Sequence, residues 1–356
     1  MHLYALFPRH VPTLLLILGL LIGGLSVPAF AKTAPGSASP WTFSLYFEND
    51  LFAGTDRNYT NGIKLSLISP DLSAYRESGH LPEWTLPWIR RLPFINEPGL
   101  QRNIGLCLGQ NMYTPVATER RSLVRHDRPY AGWTYAGIAF HSKNRRRLDT
   151  IEIQAGMVGP ASLAEETQSL VHRLRRIDVP EGWDHQLENE PGLVAIYERK
   201  YRMAERAFSG GFALDAIGHL GATLGNVSTY ANAGMELRAG WNLPLDFGSA
   251  LIRPAGDTNA PVSATGPRID KRSGFGLHAF GAVSGRAVLR DIFLDGNTFS
   301  HSHSVDKEPF VADLSAGLCL VWNRIKISYS QVFRTREFEG QEERHSFGSV
   351  TISLSY

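Results

Sequence analysis

Cysteine is scarce in the 356-residue sequence, which contains only Cys107 and Cys319. Two cysteines exclude a disulfide framework of more than one bridge. An excess of charge of one sign is also absent, because 36 lysine and arginine residues stand against 34 aspartate and glutamate residues. The formal net charge of +2 gives no strongly basic surface of the kind that binds nucleic acid.

Long apolar runs are absent after residue 25, so no later segment has the roughly 18 apolar residues that a spanning helix needs. At the N-terminus, Arg9 and His10 precede an apolar stretch over 14–25. That stretch is too short for a membrane anchor, and 29–31 follows it with the small-x-small pattern of a cleavage site. We therefore predict a signal peptide over 1–31, a short linker over 32–40 and the folded domain over 41–356.

Alternation of apolar and polar residues is abundant in the mature chain, over segments of about ten residues. In the last segment Ile352 and Leu354 share one face, while Thr351 and Ser353 share the other. The pattern recurs often enough to predict about twelve strands. They cover roughly 41–47, 63–67, 102–112, 132–142, 149–157, 194–204, 209–221, 230–240, 274–285, 310–322, 325–333 and 349–356.

A soluble β-sandwich would alternate as well, and it remains the alternative at this point. The segments have the length of tilted strands that cross a bilayer, and their second face is rich in small polar residues and glycine, which suits a narrow lumen. The last strand ends in the aromatic Tyr356 on its apolar face. We therefore predict an all-β fold: a transmembrane outer-membrane β-barrel of about 12 antiparallel strands, exported through the periplasm.

The order of the strands predicts which connections face outward. With both chain ends in the periplasm, the 51–58, 113–131 and 158–193 loops are extracellular. The long 70–101 and 241–273 connections then fall on the periplasmic side, where there is room for a further element. By alternation Cys107 and Cys319 point into the lumen, and we predict that both are free thiols.

The first extracellular loop contains more carboxylate, amide and hydroxyl oxygens than a turn needs. Asp50 and Thr60 lie on adjacent predicted strands near the outer rim, and alternation points both inward. Asn49 stands at the end of the first strand. Clustered oxygen ligands suit a hard cation such as Ca²⁺, and a polar loop held by its own hydrogen bonds is the alternative.

The second polar loop is rich in arginine. Arg120, Arg121 and Arg125 are followed by Asp127-Arg128 before the next strand begins. Guanidinium groups near an outer rim can bind phosphates through two parallel hydrogen bonds. The loop is therefore a candidate phosphate site, with a solvated basic loop as the alternative.

The third loop is predicted to contain a short helix. Ser162-Leu163-Ala164-Glu165 has the pattern of a capping box that starts a helix through about Arg176. Gln168 and His172 are four residues apart and share one helix face. A lone histidine is usually structural, but one on an ordered helix above a cation site is a candidate general base. Asp178 follows the helix and could fold back to orient the imidazole.

These ordered motifs resemble the outer-membrane lipid A 3′-O-deacylase family, and the resemblance covers essentially the mature chain. The motifs are Asn49-Asp50, Asp56-Arg57-x-Tyr59-Thr60-x-Gly62, Tyr113-x-Pro115, Asp127-Arg128, Gln168-x-x-x-His172 and Trp183-x-x-Gln186-x-Glu188-Asn189. Two positions depart from the family member compared: Asp178 replaces a glutamate, and Leu51 replaces an aspartate.

The resemblance implies a twelve-stranded barrel that uses Ca²⁺ to hydrolyse the ester of the 3′-acyloxyacyl group of lipid A in the outer leaflet. It implies that His172 is the general base, with Gln168 beside it. Asn49, Asp50 and Thr60 would form the polar, cation-binding part of the site. Arg120 and Arg121 align loosely with basic residues that would contact the phosphates.

Three rival functions remain open from the sequence. An outer-membrane phospholipase would also use a barrel and Ca²⁺, but it should pair a serine nucleophile with a histidine. A narrow channel or a surface-binding barrel would need no histidine on a rim helix. An inactive family member is the third, because Leu51 stands where an acid is expected.

Overall fold

Twelve antiparallel strands close into one barrel, in which each strand pairs with its neighbours in sequence and β1 pairs with β12. The computed structural model describes residues 41–50, 58–72, 74–78, 81–93, 96–249, 251–252, 274–342 and 344–355. The predicted signal peptide and linker over 1–40 lie outside these residues. The strands are β1 (Thr42–Asn49), β2 (Asn58–Ile68), β3 (Gln101–Thr114), β4 (Ala131–Lys143), β5 (Arg147–Val158), β6 (Glu190–Ala207), β7 (Phe212–Gly225), β8 (Ser228–Trp241), β9 (Phe275–Asp291), β10 (Phe310–Trp322), β11 (Ile325–Arg334) and β12 (His345–Ser355). The predicted twelve-stranded barrel is confirmed.

The register assigns one face of each strand to the outside. Leu108 is 54% exposed and pairs with Leu65 across β2 and β3, whereas the neighbouring Lys64 is buried. Cys107 lies opposite the buried Ser66, and Cys319 lies opposite the buried Ser328. Neither cysteine forms a disulfide, and both share the inward face with these polar residues, which confirms the prediction of two lumen thiols.

Among the described residues, three short helices lie in the connections: α1 (Leu86–Ile89), α2 (Ala164–Arg175) and α3 (Ile292–Asp295). Single 3-10 turns occur at Tyr75–Ser78, Glu83–Thr85, Pro160–Ser162, Trp183–His185 and Ser209–Gly211. In the part of the chain that the structure describes, no helix has the length and hydropathy to cross a membrane.

The long connection between β2 and β3 contains the further element for which its length left room. Its α1 residue Ile89 packs with Tyr75, Ile104 and Phe140 in one apolar cluster. Ile104 and Phe140 pair with each other on the face of β3 and β4 that also carries the exposed Leu106 and Leu108. The connection therefore packs against the outer face of the barrel at its periplasmic end.

The second long connection, after β8, turns into the lumen. Phe247 packs with Ile68, Leu148 and Ile217 near the periplasmic end. Farther along, the backbone N–H of Ile252 donates to Glu48 Oε1 at 2.6 Å, near the extracellular end of β1. We call residues 242–249 and 251–252 the lumen segment, because they rise inside the barrel between these two levels.

The extracellular half of the lumen is packed with aromatic side chains. Tyr113 of β3 stacks on Phe293 of α3, with ring centroids 4.0 Å apart. The same cluster includes Trp133 of β4, Tyr230 of β8 and Phe347 of β12. Because these strands come from opposite parts of the wall, packed side chains cross the lumen below the extracellular loops.

Candidate active site

Helix α2 begins against the outer face of β3 and β4, at the extracellular rim. Met112 of β3 clusters with Ala164 and Trp183. Gly132, which pairs with Met112, lies directly beneath the helix start: an added Cβ would be 2.0 Å from Ser162 Oγ and 2.3 Å from Ala164 Cβ. The close approach of the helix to the wall therefore depends on glycine at position 132.

The start of α2 is not a capping box, and that prediction was wrong. The residue before the helix is Leu163, with φ 58°, and its side chain makes no capping hydrogen bond. Ser162 belongs to the preceding 3-10 turn instead. Its carbonyl accepts from Gln110 Nε2 at 2.7 Å and from Thr134 Oγ1 at 2.6 Å. These two bonds from the outer face of the strands fix the helix start.

Helix α2 buries its polar face and exposes its apolar face, which is the reverse of an amphipathic helix on the surface of a soluble protein. Gln168 and His172 are on the buried face, at 3% and 4% exposure. Leu170 and Leu174 are 52% and 66% exposed on the opposite face. An exposed apolar face at the rim of a membrane barrel suits contact with lipid.

Residue 178 orients His172 through its backbone, and the predicted use of the Asp178 side chain needs correction. His172 Nδ1 lies 2.6 Å from the backbone carbonyl of Asp178, whose side chain is exposed. A carbonyl can only accept, so Nδ1 carries the proton and donates it. In the neutral imidazole, Nε2 is then the nitrogen that can accept a proton.

The carbonyl of Asp178 reaches His172 because the helix ends in a Schellman turn. Arg176 adopts the left-handed conformation with φ 57° and donates its N–H to the carbonyl of Arg173. Ile177 donates its N–H to the carbonyl of His172. This pair of bonds reverses the chain at the helix end and brings the next residue over the imidazole.

The amide of Gln168 is held at its oxygen end. Its Oε1 accepts a hydrogen bond from Trp183 Nε1 at 2.8 Å. Its Nε2 is buried and has no acceptor among the residues that the structure describes. The orientation therefore leaves an amide donor beside the histidine, which is the type of group that stabilises a developing oxyanion.

The end of β1 lies two strands away from the part of β3 on which α2 packs. Asn49 pairs with Asn61, and Asn61 pairs with Met112 on β3. Two strand spacings amount to roughly 10 Å. Asn49 lies on the outward face with Phe47, so the residues approach the site from the outside of the barrel.

Asp50 and Thr60 occupy irregular positions. Asp50 follows β1 and is fully buried. Thr60 falls where the register shifts between Tyr59 and Asn61, a position at which strict alternation no longer fixes the direction of a side chain. The inward direction that we predicted for both therefore does not follow from the strand pattern. Residues 51–57, including Leu51, lie outside the described residues.

The donor types at the end of β1 fit a calcium ion. The carboxylate of Asp50 and the amide oxygen of Asn49 are hard oxygen ligands on adjacent, buried residues. Calcium takes six to eight oxygen ligands, so two side chains supply part of a set. Among the described residues, no group of three or more His, Cys, Asp and Glu is arranged to hold a metal.

The structure separates Arg120 and Arg121 from Arg128. Arg120 and Arg121 are exposed on the loop before β4, and Arg121 Nε lies 2.8 Å from Glu181 Oε2. Thr118 accepts from the N–H of Glu181, which places this loop beside the Trp183 turn. Arg128 is buried instead, with Nη2 3.6 Å from Glu337 and its guanidinium 5.2 Å from the ring centre of Tyr113.

Two residues after α2 form hydrogen bonds that hold the chain around the start of the helix, and the sequence predicted no role for them. Gln186 Nε2 donates to Glu165 at 3.3 Å, and Asn189 Oδ1 accepts from the N–H of Ala161 at 2.6 Å. Burial raises the pKa of Glu165, and the charges of Glu166 and Asp184 raise it further. The sequence signal that could have predicted these hydrogen bonds is the spacing of Trp183, Gln186 and Asn189 in one motif.

The fold and the position of this site define a class: an outer-membrane β-barrel with a candidate active site on the outside of its wall. The profile of the family described as "Outer membrane protein LpxR" matches residues 14–356. The chain belongs to this family and is an outer-membrane protein. No functionally curated protein matches the sequence.

Two solved structures illustrate the likeness. LpxR from Salmonella typhimurium aligns with a TM-score of 0.70 at 18% identity, over 88% of this chain and 100% of that one. The β domain of the Bordetella autotransporter BrkA aligns with a TM-score of 0.40 at 8% identity, over 90% and 99% of the chains. The first shares the fold of this chain, and the second is too distant to support any inference.

Proposed function

We propose that the protein remodels lipid A by hydrolysing the ester that links its 3′-acyloxyacyl group. Membership of the LpxR family supports action on this lipid, together with the motifs that resemble lipid A 3′-O-deacylases. The observation that carries the proposal is the hydrogen bond from His172 Nδ1 to the carbonyl of Asp178. It gives a buried histidine on a rim helix the tautomer of a general base.

In this mechanism His172 Nε2 takes a proton from water as the water oxygen attacks the ester carbonyl carbon. The bond between the ester carbonyl carbon and the 3′ oxygen of the sugar then breaks, and the imidazolium returns the proton to that oxygen. The products are a free acyloxyacyl acid and a 3′-hydroxyl. The Asp178 carbonyl stabilises the imidazolium while it exists.

Gln168 would supply a donor to the oxyanion. The indole N–H of Trp183 donates to Gln168 Oε1, so the Nε2 group of the same amide points away from Trp183. Removing a donor of this kind typically costs about 10²–10³ in kcat. The fixed amide would contribute without reorganisation during the reaction.

Asn49 and Asp50 would hold a calcium ion, with Thr60 nearby. When bound, calcium supplies a positive charge that polarises the ester carbonyl. The oxygen donors and the burial of both residues support this assignment.

The substrate would approach sideways from the outer leaflet. Leu163, Leu170 and Leu174 are exposed and would contact its acyl chains. Arg120 and Arg121 would contact its phosphates, and the ion pair of Arg121 with Glu181 is a surface pair that competes weakly. Arg128 is excluded from this role by its burial beside Glu337.

The rival functions find less support in the described residues. His219 Nε2 lies 3.2 Å from Ser284 Oγ, which is a serine–histidine pair of the phospholipase type. However, it borders a lumen cavity of only about 40 Å³, too small for a lipid. The aromatic cluster and the lumen segment also fill space that a channel would need.

The test uses purified protein with bisphosphorylated lipid A and follows the released acid by mass spectrometry. We expect release with calcium and loss of release after chelation. The His172→Ala variant should lose at least about 10²-fold in rate, whereas the exposed His185 of the Trp183 turn is the matched control. Equal rates for His172→Ala and His185→Ala would contradict the proposal.

A further inference from the structure

A groove of about 910 Å³ runs over the barrel wall at β8, β9 and β10. Its floor consists of small residues, and its two sides are Leu220 and Phe310, which are 65% and 76% exposed. The floor residues are Ala231, Ala233, Gly285, Ala287 and Ala312. We call this feature the wall groove, and its volume is at the upper end of the usual range for ligand pockets, about 300–1,000 Å³.

The register places the floor of the wall groove on the outside of the barrel. Gly285 pairs with Ala233 on β8 and with Ala312 on β10. Their neighbours in sequence, Asn232 and Asp313, have the buried side chains of the lumen face. The groove therefore opens toward the membrane, and lipid is what covers it.

The groove lies at the extracellular end of its strands. β8 begins at Ser228 and β10 begins at Phe310, both after extracellular loops. The groove is also lined by Arg336 and Arg344, exposed residues of the extracellular connection between β11 and β12. Its apolar length thus faces the outer leaflet, with two guanidinium groups at the level of the lipid headgroups.

The wall groove is separate from the candidate active site. Helix α2 packs on β3 and β4, whereas the groove is centred on β9, six strands away from β3 in the ring of twelve. This separation puts the two features on opposite sides of the barrel. Binding in the groove can therefore be measured independently of catalysis.

We propose that the wall groove binds one phosphorylated, multiply acylated glycolipid of the lipid A class, as a lipid that is held and not cleaved. Acyl chains lie on the alanine and glycine floor between Leu220 and Phe310, where a bulkier floor would leave no room. Arg336 and Arg344 bind the phosphates, for which guanidinium is the matching donor.

Glu308 and Glu342 stand on the same rim and help to define the occupant. A single phosphate on a simple phospholipid would meet two arginines and two carboxylates with little net attraction. A lipid with two separated phosphates can place one phosphate against each arginine. Its sugar hydroxyl groups can donate hydrogen bonds to the two carboxylates. The charge pattern thus favours a glycolipid with two phosphates over a phospholipid with one.

The test compares two glycine substitutions on the outward face of β9. An added Cβ at Gly285 meets no atom within 4 Å, so Gly285→Leu fills the groove without disturbing the wall. Gly281→Leu is the matched control outside the groove, because its Cβ meets only the carbonyl of Ser315 at 3.9 Å. The bound lipid is counted by native mass spectrometry after incubation with bisphosphorylated lipid A or with phosphatidylglycerol.

We expect Gly285→Leu to lower the affinity for one copy of lipid A roughly tenfold relative to Gly281→Leu. Arg336→Gln with Arg344→Gln should weaken the same copy and leave phosphatidylglycerol binding unchanged. Any lipid A held at α2 is common to all variants and cancels in the comparison. Equal binding by both glycine variants, or equal loss of lipid A and phosphatidylglycerol, would overturn the proposal in favour of general contact with bilayer lipid.

Discussion

At the scale of single residues, His172 and Gln168 follow the same rule: one polar atom is fixed so that the other has a defined chemistry. His172 uses Nδ1 on a backbone carbonyl, and Gln168 uses Oε1 on an indole. Both partners come from the chain after α2, at positions 178 and 183. The chemistry of the helix therefore depends on the turn that follows it.

The Schellman turn gives a prediction that separates backbone from side chain at position 178. Asp178→Ala keeps the carbonyl that accepts from His172, so the rate should stay within about threefold of the wild type. Ile177→Pro removes the N–H that donates to the His172 carbonyl and disfavours the turn, so the rate should fall at least about tenfold. Both are checked by the release of acyloxyacyl acid from lipid A.

The contrary outcome for this pair is a large loss in Asp178→Ala. Such a loss would restore the side-chain role that the sequence predicted. Retained folding of each variant should be verified by the mobility shift of the barrel on unheated gels, because a misfolded Ile177→Pro protein would say nothing about the turn.

The sequence predicted that Gln168 and His172 share one helix face, which the structure confirms, because a spacing of four on a helix is a local property. It could not identify the carbonyl of Asp178, because a backbone partner leaves no residue-type signal. It also misassigned Arg128, since loop sequence does not reveal which arginine turns toward the buried Glu337. The prediction of a capping box was wrong for a related reason. Ser162 lies in a 3-10 turn whose position is set by hydrogen bonds from Gln110 of β3 and Thr134 of β4 to its carbonyl.

Among the elements, α2 is an amphipathic helix with its polar face against the wall and its leucines outside. Gly132 allows the start of the helix to approach the wall closely, and Trp183 donates a hydrogen bond to Gln168 on its buried face. The strands themselves followed from alternation, because one face meets lipid and the other meets the lumen. Their number and order could therefore be predicted, whereas the lumen segment has no periodic pattern to reveal it.

The exposed leucines lead to a prediction about substrate presentation. Leu170→Ser with Leu174→Ser should slow hydrolysis of lipid A in bilayers at least about tenfold, because fully burying one leucine side chain contributes about 1.5–3 kcal/mol and both leucines are more than half exposed to the lipid. Hydrolysis of lipid A dispersed in detergent should change much less. Rates in proteoliposomes and in micelles check this, and equal losses in both would assign the leucines to folding.

At the scale of the whole molecule, the barrel wall is closed and its interior is filled. The lumen segment is fixed by ion pairs: Asp246 accepts from Arg238 Nη1 at 2.5 Å and from Lys326 Nζ at 2.7 Å. Asp215 also pairs with Arg238 and with Arg202. Helix α2 and the wall groove lie on opposite outer faces of this packed interior.

Loss of the central carboxylate should destabilise this support. Asp246→Ala leaves Arg238 and Lys326 buried without one of their partners, and breaking a buried pair typically costs about 3–5 kcal/mol. The denaturant midpoint of the folded barrel should fall accordingly. Asp306→Ala, at an exposed site, is the control, and equal midpoints for the two variants would contradict the role of the lumen segment.

Deacylation of lipid A by this outer-membrane barrel, with His172 as the base, can be tested in cells. The most direct measurement is mass spectrometry of lipid A from cells that express the wild type, His172→Ala or His185→Ala. We predict loss of the mass of one acyloxyacyl group with the wild type and with His185→Ala only. Unchanged lipid A in all three strains, with each barrel folded in the outer membrane and calcium present, would contradict deacylation by this protein.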